Sequence, residues 1–459
     1  MAQFSCRWRN VFICVCTPCL CMLLLFFYAG IVMCMRMKGV KAPWTPENPQ
    51  FVAPGISEHK GFAPIPKAFW RNELHQDAFW NQLQLDVDRS LNPILRPSAT
   101  KRGLKGSKFS FLLRQSFSEA KKQENMKKIF HNLPPHIQRF VNYMQRRTYP
   151  IVLQPDGECG AQAKEEKQPP LILFAIKTEE LNFKNRQAIR QTWGRAGWVA
   201  GQKRNGSAEE EVGGYVRRVF LLGKENPDDL GVNISELLRM ENEHYGDILQ
   251  WDFDDTFSNL TLKDVLFWRW FSRSRCPTVF VFKGDDDVFV NTPNLITYLW
   301  DQLVTLQANK TLKDFMVGDV IAAAAPNRED KSKYFIPESF YSGRYPRYAG
   351  GGGVVYSSLL AKRLNLISKR VHLYPIDDVY VGMCMLQLNA FPVHHPAFLT
   401  FDFPGEEEKQ PCSYHKILLV HKRNPEHTVR LWSDLKQTQT QCKDVSLRVD
   451  VKKKNISKP

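Results

Sequence analysis

Apolar residues fall along this chain in three patterns: one long uncharged block, a series of short solid runs, and longer stretches with helical spacing. The block covers residues 11–35 and carries no charged side chain. At about 1.5 Å rise per residue it exceeds the roughly 30 Å hydrocarbon core, so a transmembrane helix is expected there. A cleaved signal peptide fits less well, because its apolar region is shorter and ends at small residues. The solid runs are Leu171-Ile172-Leu173-Phe174-Ala175-Ile176, Val219-Phe220-Leu221-Leu222-Gly223 and Val279-Phe280-Val281-Phe282. Each reads as a strand buried on both faces. Between them, residues 185–194 predict a helix that carries Arg186 and Arg190 on one face and stops at Gly194. Ser258 or Asn259 caps a long apolar helix running to Arg273, and a shorter helix follows Leu133-Pro134-Pro135. Strand–helix–strand alternation at this spacing predicts an α/β fold with a doubly wound, mostly parallel sheet.

The rest of the chain is organised around that domain. From 42 to 128 prolines, charges and scattered aromatics (Trp44, Trp70, Trp80) alternate without sustained period, which reads as a stem with some local helix. The expected division is a tail at 1–10, the membrane anchor at 11–35, a stem at 36–131 and a globular domain at 132–459. Basic residues flank the anchor on both sides, so counting them leaves its orientation open. Five N-x-[ST] sequons, at Asn205, Asn233, Asn259, Asn309 and Asn455, all follow it, as expected if the large portion is lumenal. Six of the eleven cysteines lie in or beside the anchor, where palmitoylation or apolar packing suits them better than disulfides. The other five, Cys159, Cys276, Cys384, Cys412 and Cys442, can form two bridges and leave one thiol over. The net charge of +16 is clustered, largely in 101–128 and at 452–454. No zinc-finger, helix-turn-helix or RNA-binding pattern accompanies it, so nucleic acid is not an expected partner. Nor does any G-x-G-x-x-G or P-loop signature occur, which sets aside dinucleotide and P-loop chemistry.

Candidate chemistry begins where the third strand run meets Lys283-Gly284-Asp285-Asp286-Asp287. The Lys-Gly step is expected to end the strand, leaving the acids at its carboxyl edge, the usual ligand crevice of an open α/β sheet. Residues two apart share a face on extended chain, so Asp285 and Asp287 can point together and Asp286 away. Such oxygen ligands suit Mg²⁺ or Mn²⁺ shared with a diphosphate. A solvated acidic turn is the plain alternative, and the apolar strand on both sides argues against it. Three further stretches stand out. Gly350 to Gly353 make a tight turn or admit a close approach of backbone to ligand. Asp377 and Asp378 are a second acidic pair at a helix start, where first-turn carboxylates also suit the helix dipole. His421 ends a strand-like run.

Taken in order, Ala175-Ile176-Lys177, the Arg186 to Gly194 helix, Phe282 to Asn291, Ala349 to Gly353, Tyr374 to Tyr380 and Leu419-Val420-His421 resemble glycosyltransferase family 31. These are Golgi β-1,3-N-acetylglucosaminyl- and β-1,3-galactosyltransferases, and the likeness is greatest to the polylactosamine-extending branch, through Gly318 to Ile321 and Lys333 to Glu338. The resemblance implies a lumenal GT-A fold in a single-pass type II protein of the Golgi membrane. It implies inverting, metal-dependent transfer of N-acetylglucosamine from UDP-GlcNAc to the 3-hydroxyl of a terminal β-galactose. A β-1,3-galactosyltransferase using UDP-galactose is the alternative, and a catalytically silent glycan-binding scaffold a further one. Carried over, Asp378 is the base, and Asp287 with His421 holds Mn²⁺ or Mg²⁺. Lys177, Arg186, Arg190, Asp285 and Asp286 bind the donor, while Gly351, Gly352 and Asp377 line the acceptor or donor-sugar pocket. The resemblance leaves room for homo- or hetero-oligomers with other Golgi glycosyltransferases. One departure is that a cysteine usual near Gln145-Arg146-Arg147 is absent, which implies that a whole bridge is missing.

Overall fold

The computed structural model describes residues 78–91, 121–160, 168–202, 212–225 and 233–449. Among these, no helix is long and apolar enough to cross a membrane. The block at 11–35 and the sequons at Asn205 and Asn455 lie outside the described residues.

The strands are β1 (Ile151–Leu153), β2 (Ile172–Lys177), β3 (Gly197–Ala200), β4 (Gly213–Lys224), β5 (Ile248–Asp254), β6 (Phe280–Asp285), β7 (Phe289–Val290), β8 (Met316–Gly318), β9 (Val320–Ile321), β10 (Tyr348–Ala349), β11 (Gly353–Ser357), β12 (Val393–His394), β13 (Phe398–Leu399) and β14 (Leu419–Val420). The helices are α1 (Phe79–Leu91), α2 (residues 121–131), α3 (Pro135–Tyr143), α4 (Phe183–Gln191), α5 (Ile234–Tyr245), α6 (Leu260–Arg273), α7 (Thr292–Ala308), α8 (Ser358–Ile367), α9 (Asp377–Gln387) and α10 (Pro425–Gln437). A nine-stranded sheet runs β1-β5-β4-β2-β6-β11-β8-β12, with β3 added on β4. The three solid runs became β2, β4 and β6, side by side and parallel, with β5 parallel beyond β4.

The sheet as a whole is mixed, not mostly parallel. Four neighbouring pairs are parallel and four antiparallel. The reversal follows the glycine run, which turns the chain back so that β11 lies antiparallel on β6, Gly353 opposite Gly284. Nor does the Lys-Gly step end β6, which continues to Asp285 and pairs there with Lys177. A Cβ on Gly284 would stand 2.7 Å from the Gly352 carbonyl oxygen, so glycine here lets β11 close in rather than stopping the strand. The strand expected at 219–223 begins at Gly213, because Gly213 and Gly214 lie under the side chains of Trp198 and Leu171, where a Cβ would clash.

A second, three-stranded sheet, β13-β14-β7, carries residues from two distant parts of the chain into one place. Val420 of β14 lies opposite Phe289 of β7, so His421 emerges beside Asp287. The main core lies against the central strands. There Trp193 packs edge-on against Phe174 and Phe282, with ring centroids 5.5 and 5.9 Å away. Cys159–Cys276 and Cys412–Cys442 are bridged and Cys384 is a buried free thiol, so the two-bridge count is met. Helix α1, expected in the stem, is packed into the domain with Trp80 only 2% exposed.

Candidate active site

The carboxyl ends of β2 and β6 place the acids in a crevice, where β6 ends at Asp285 and Asp286 and Asp287 form the turn that follows. Asp285, Asp287 and His421 each offer one ligand atom, and the three atoms lie within 4.8 Å of one another. Asp286 turns to the other side, accepting hydrogen bonds from Thr178 and, at 3.0 Å, from Asn182 Nδ2. Burial pushes its carboxyl up to about 6. It supports the loop from within and does not join the other two acids.

His421 is oriented by its second nitrogen. Nδ1 lies 3.1 Å from the Thr400 carbonyl oxygen, which can only accept, so the proton sits on Nδ1 and Nε2 faces Asp287 at 3.1 Å. Burial disfavours the imidazolium, but the Asp287 hydrogen bond and the charges of Asp287 and Asp285 outweigh it and raise the pKa. A cation would take the place of that Nε2 proton. Arg423, 3% exposed, holds the turn by donating to the carbonyl oxygens of His421 and Lys422 and to Asp402 and Glu408.

The second half of the crevice is a cluster of two lysines and three carboxylates, with Lys177, Lys283 and Asp264 buried and Asp377 and Asp378 half-buried. Lys177 pairs with Asp264 at 3.0 Å and with Asp377. Lys283 reaches Asp264 at 3.2 Å and Asp377 and Asp378 at 3.1 Å each. One negative charge is left over, and the geometry decides where it falls. Burial would raise Asp377, but Lys177 and Lys283 outweigh it and hold that carboxyl well below the usual range. Asp378 has Lys283 alone. Burial, then the adjacent Asp377 charge, pushes it up to about 7. A half-buried acid that titrates near neutrality at a crevice can serve as a general base.

The glycine run lies between these halves. A Cβ on Gly351 would stand 3.1 Å from Asp378 Oδ2, and one on Gly352, at φ +91°, 3.1 Å from the His421 ring. The structure thus brings Asp285, Asp287, His421, Gly351, Gly352, Lys177, Asp377 and Asp378 to one crevice. It does not bring Arg186 and Arg190 there, and this corrects the expectation that they face a nucleotide. Arg186 is fully buried, donating to Glu241 and to the carbonyl oxygens of Glu179 and Glu180. Arg190 is held by Asp247 and Glu241. Both guanidinium groups are spent on packing α4 and α5. Of the sequons, Asn233 and Asn309 are exposed, whereas the Asn259 amide donates to the Asp254 carbonyl oxygen.

Sequence reasoning missed Lys283, Asp264 and Arg423. Signals existed for two of them: a lysine inside a solid apolar strand and an acid inside an apolar helix each need a buried partner of opposite charge. Arg423 had none, since its partners Asp402, Glu408 and Tyr414 lie in a loop and two short 3-10 turns.

An acidic crevice at the carboxyl edge of a mixed α/β sheet, with one poised carboxyl, is a site suited to a charged ligand and to proton transfer. A family model described as galactosyltransferase matches residues 184–396. The human N-acetyllactosaminide beta-1,3-N-acetylglucosaminyltransferase 2 is 41% identical over 385 residues, covering 83% of this chain and 91% of its own. The mouse protein of the same name is 42% identical over 386 residues, with the same shares. A rat UDP-GlcNAc:betaGal beta-1,3-N-acetylglucosaminyltransferase 7 is 38% identical over 319 residues, 68% of this chain and 74% of its own. The chain belongs to the galactosyltransferase family, glycosyltransferase family 31. Among solved structures, the apo bifunctional glycosyltransferase WbbM aligns over 58% of this chain and 48% of its own at 12% identity. Its TM-score of 0.29 carries no argument.

Proposed function

We propose that this protein is an inverting β-1,3-N-acetylglucosaminyltransferase with a GT-A fold, which moves N-acetylglucosamine from UDP-GlcNAc to the 3-hydroxyl of a terminal β-galactose in N-acetyllactosamine. The observation that carries the reading is Asp378, half-buried beside Gly351 and balanced near neutrality, in a chain 41% identical over 83% of its length to a relative named for that transfer. Inversion in one step needs a base beside the incoming hydroxyl. Asp378 Oδ2 faces the glycine run, where a sugar can approach without meeting a side chain, while Oδ1 is fixed by Lys283. Lys177 and Lys283 keep Asp377 ionised and so keep its charge on Asp378.

Two carboxylates and an imidazole nitrogen fit Mn²⁺ or Mg²⁺, and Asp285, Asp287 and His421 would hold it. Such an ion supplies positive charge against the departing diphosphate. We further place the enzyme in the Golgi membrane as a type II protein anchored by 11–35, on the strength of the uncharged block and the downstream sequons.

The test is transfer by the full chain in detergent from UDP-GlcNAc or UDP-galactose to N-acetyllactosamine, with the product linkage read by NMR. A β-1,3-linked N-acetylglucosamine is expected. Galactose transfer in preference, or hydrolysis of the donor without transfer, would overturn the reading.

A further inference from the structure

The segment that leads into Asp377 and Asp378 has no regular structure of its own from Val371 to Ile376. Its backbone is held by side chains from elsewhere. Arg147 donates to the carbonyl oxygens of Ser368 and Val371, and Thr261 to that of Tyr374 at 2.6 Å. The Tyr380 hydroxyl of α9 also donates to the Ser368 and Val371 carbonyl oxygens, and three further bonds come from α1. Gln84 donates to the Arg370 carbonyl oxygen at 3.0 Å and accepts from His372 N at 2.9 Å, and Trp80 Nε1 donates to the Leu373 carbonyl oxygen at 3.0 Å. The Trp80 ring stands edge-on to Tyr374, with centroids 5.7 Å apart. At the far end of α9, Gln387 Nε2 lies 3.5 Å from Asp88 Oδ1. Without α1, three backbone groups lose these partners, and buried ones left unmatched are costly.

We propose that α1 is a positioning element of the transfer reaction, in which Trp80 and Gln84 fix the 370–374 backbone and thereby set the aim of Asp378. The proposal rests on the reading of Asp378 as the base. Neither side chain has a bond to the crevice acids, so both act through the peptide chain. The segment before the catalytic domain is then more than a spacer. Loosening α1 lowers turnover while the donor site, built on β6, β7 and β14, stays intact.

The experiment uses the full chain in detergent with Trp80→Phe, which keeps an aromatic ring and removes the donor, and Gln84→Met, which keeps the volume and removes both bonds to the segment together with the one to Asp88 Oδ1. In each, kcat for transfer to N-acetyllactosamine should fall roughly tenfold or more with the KM for UDP-GlcNAc little changed, as expected for a misaimed group. In an Asp378→Asn background the same substitutions should cost nothing further, because the group they aim is gone. Hydrogen exchange at 371–380, measured without substrate, should quicken in both variants. Unchanged kcat and unchanged exchange would overturn the proposal, as would an equal loss in the Asp378→Asn background. A wild-type chain with no transfer activity would sink the transferase reading instead. Exchange at 371–380 would then still decide whether α1 holds this segment.

Discussion

Neutralising Asp377 while keeping its shape should pull the acidic limb of the pH–rate profile downward. The Asp377 and Asp378 oxygens that face Lys283 each lie 3.1 Å from its Nζ. They are therefore no more than about 6 Å apart, and at an effective dielectric constant near 20 their repulsion is about 3 kcal/mol, or about two pH units. Asp378 must be ionised to accept a proton, and its carboxyl is pushed up to about 7, so kcat/KM should climb as pH rises through neutrality. In Asp377→Asn the climb should shift toward about pH 5. Lys177 and Lys283, released from Asp377, push the same way. The assay is kcat/KM for N-acetyllactosamine from mildly acidic to mildly alkaline pH, with UDP affinity measured by calorimetry. Asp378→Asn should lose the limb altogether and drop kcat by roughly 10²–10⁴ while UDP still binds. An unmoved limb in Asp377→Asn, or near-normal turnover in Asp378→Asn, would refute the assignment of the base.

Three other outcomes are expected. Chelation should abolish transfer and weaken UDP binding together, and Asp287→Asn should do the same; full activity in excess EDTA would return Asp285 and Asp287 to a structural role. Gly351→Ala should lower kcat with little effect on melting temperature, since its Cβ would stand 3.1 Å from Asp378 Oδ2, and unchanged kcat would mean that sugar does not approach there. Asp88 is pushed up to about 7 by burial, so its stabilising contribution is complete below its unfolded pKa near 4 and is lost as pH rises through 7, a change of up to roughly 4 kcal/mol; Asp88→Asn should flatten that part of the melting-temperature profile, and parallel profiles would show the group is not titrating.

Local chemistry was legible in the sequence where one element held it. The period of two separates Asp285 and Asp287 from Asp286 on sequence spacing alone, and the separation holds although β6 ends at Asp285 and the next two acids form a turn, which sends Asp286 to Thr178 and Asn182 and Asp287 to His421. The solid apolar runs gave the three parallel central strands, since strands buried on both faces have nowhere else to lie. What was not legible came from partners distant in the chain. The pairing of Arg186 and Arg190 with Glu241 and Asp247 joins α4 to α5 and the residues just after it across two intervening strands, and no spacing in the sequence marks it. Two of the four antiparallel pairs depend on β11, whose glycine approach reads equally well as a tight turn. Helix α1 was hidden by its composition: its docking uses Trp80, Asn81, Gln84 and Asp88, so the buried face is largely polar and carries no apolar stripe.

The same period, followed two residues back, explains why the two halves of the crevice work as one. Lys283 and Asp285 share a face of β6, the turn that follows brings Asp287 beside Asp285, and Gly284 faces the other way against the Phe282 ring and Gly352. The strand that offers two carboxylates to the donor side therefore offers a cation to the base side. Lys177, opposite Asp285 on β2, adds a second cation at the same edge. With Asp264 and Asp377 set against these two cations, Asp378 is left as the carboxyl without a full counter-charge, and burial then carries it toward neutrality. A methionine at 283 would remove that linkage. Lys283→Met should move the acidic limb of kcat/KM upward, opposite in direction to Asp377→Asn, because it removes the cation that favours ionised Asp378. The two profiles measured side by side decide the point, and a shift of both limbs in the same direction would mean that the cluster does not set the charge of the base.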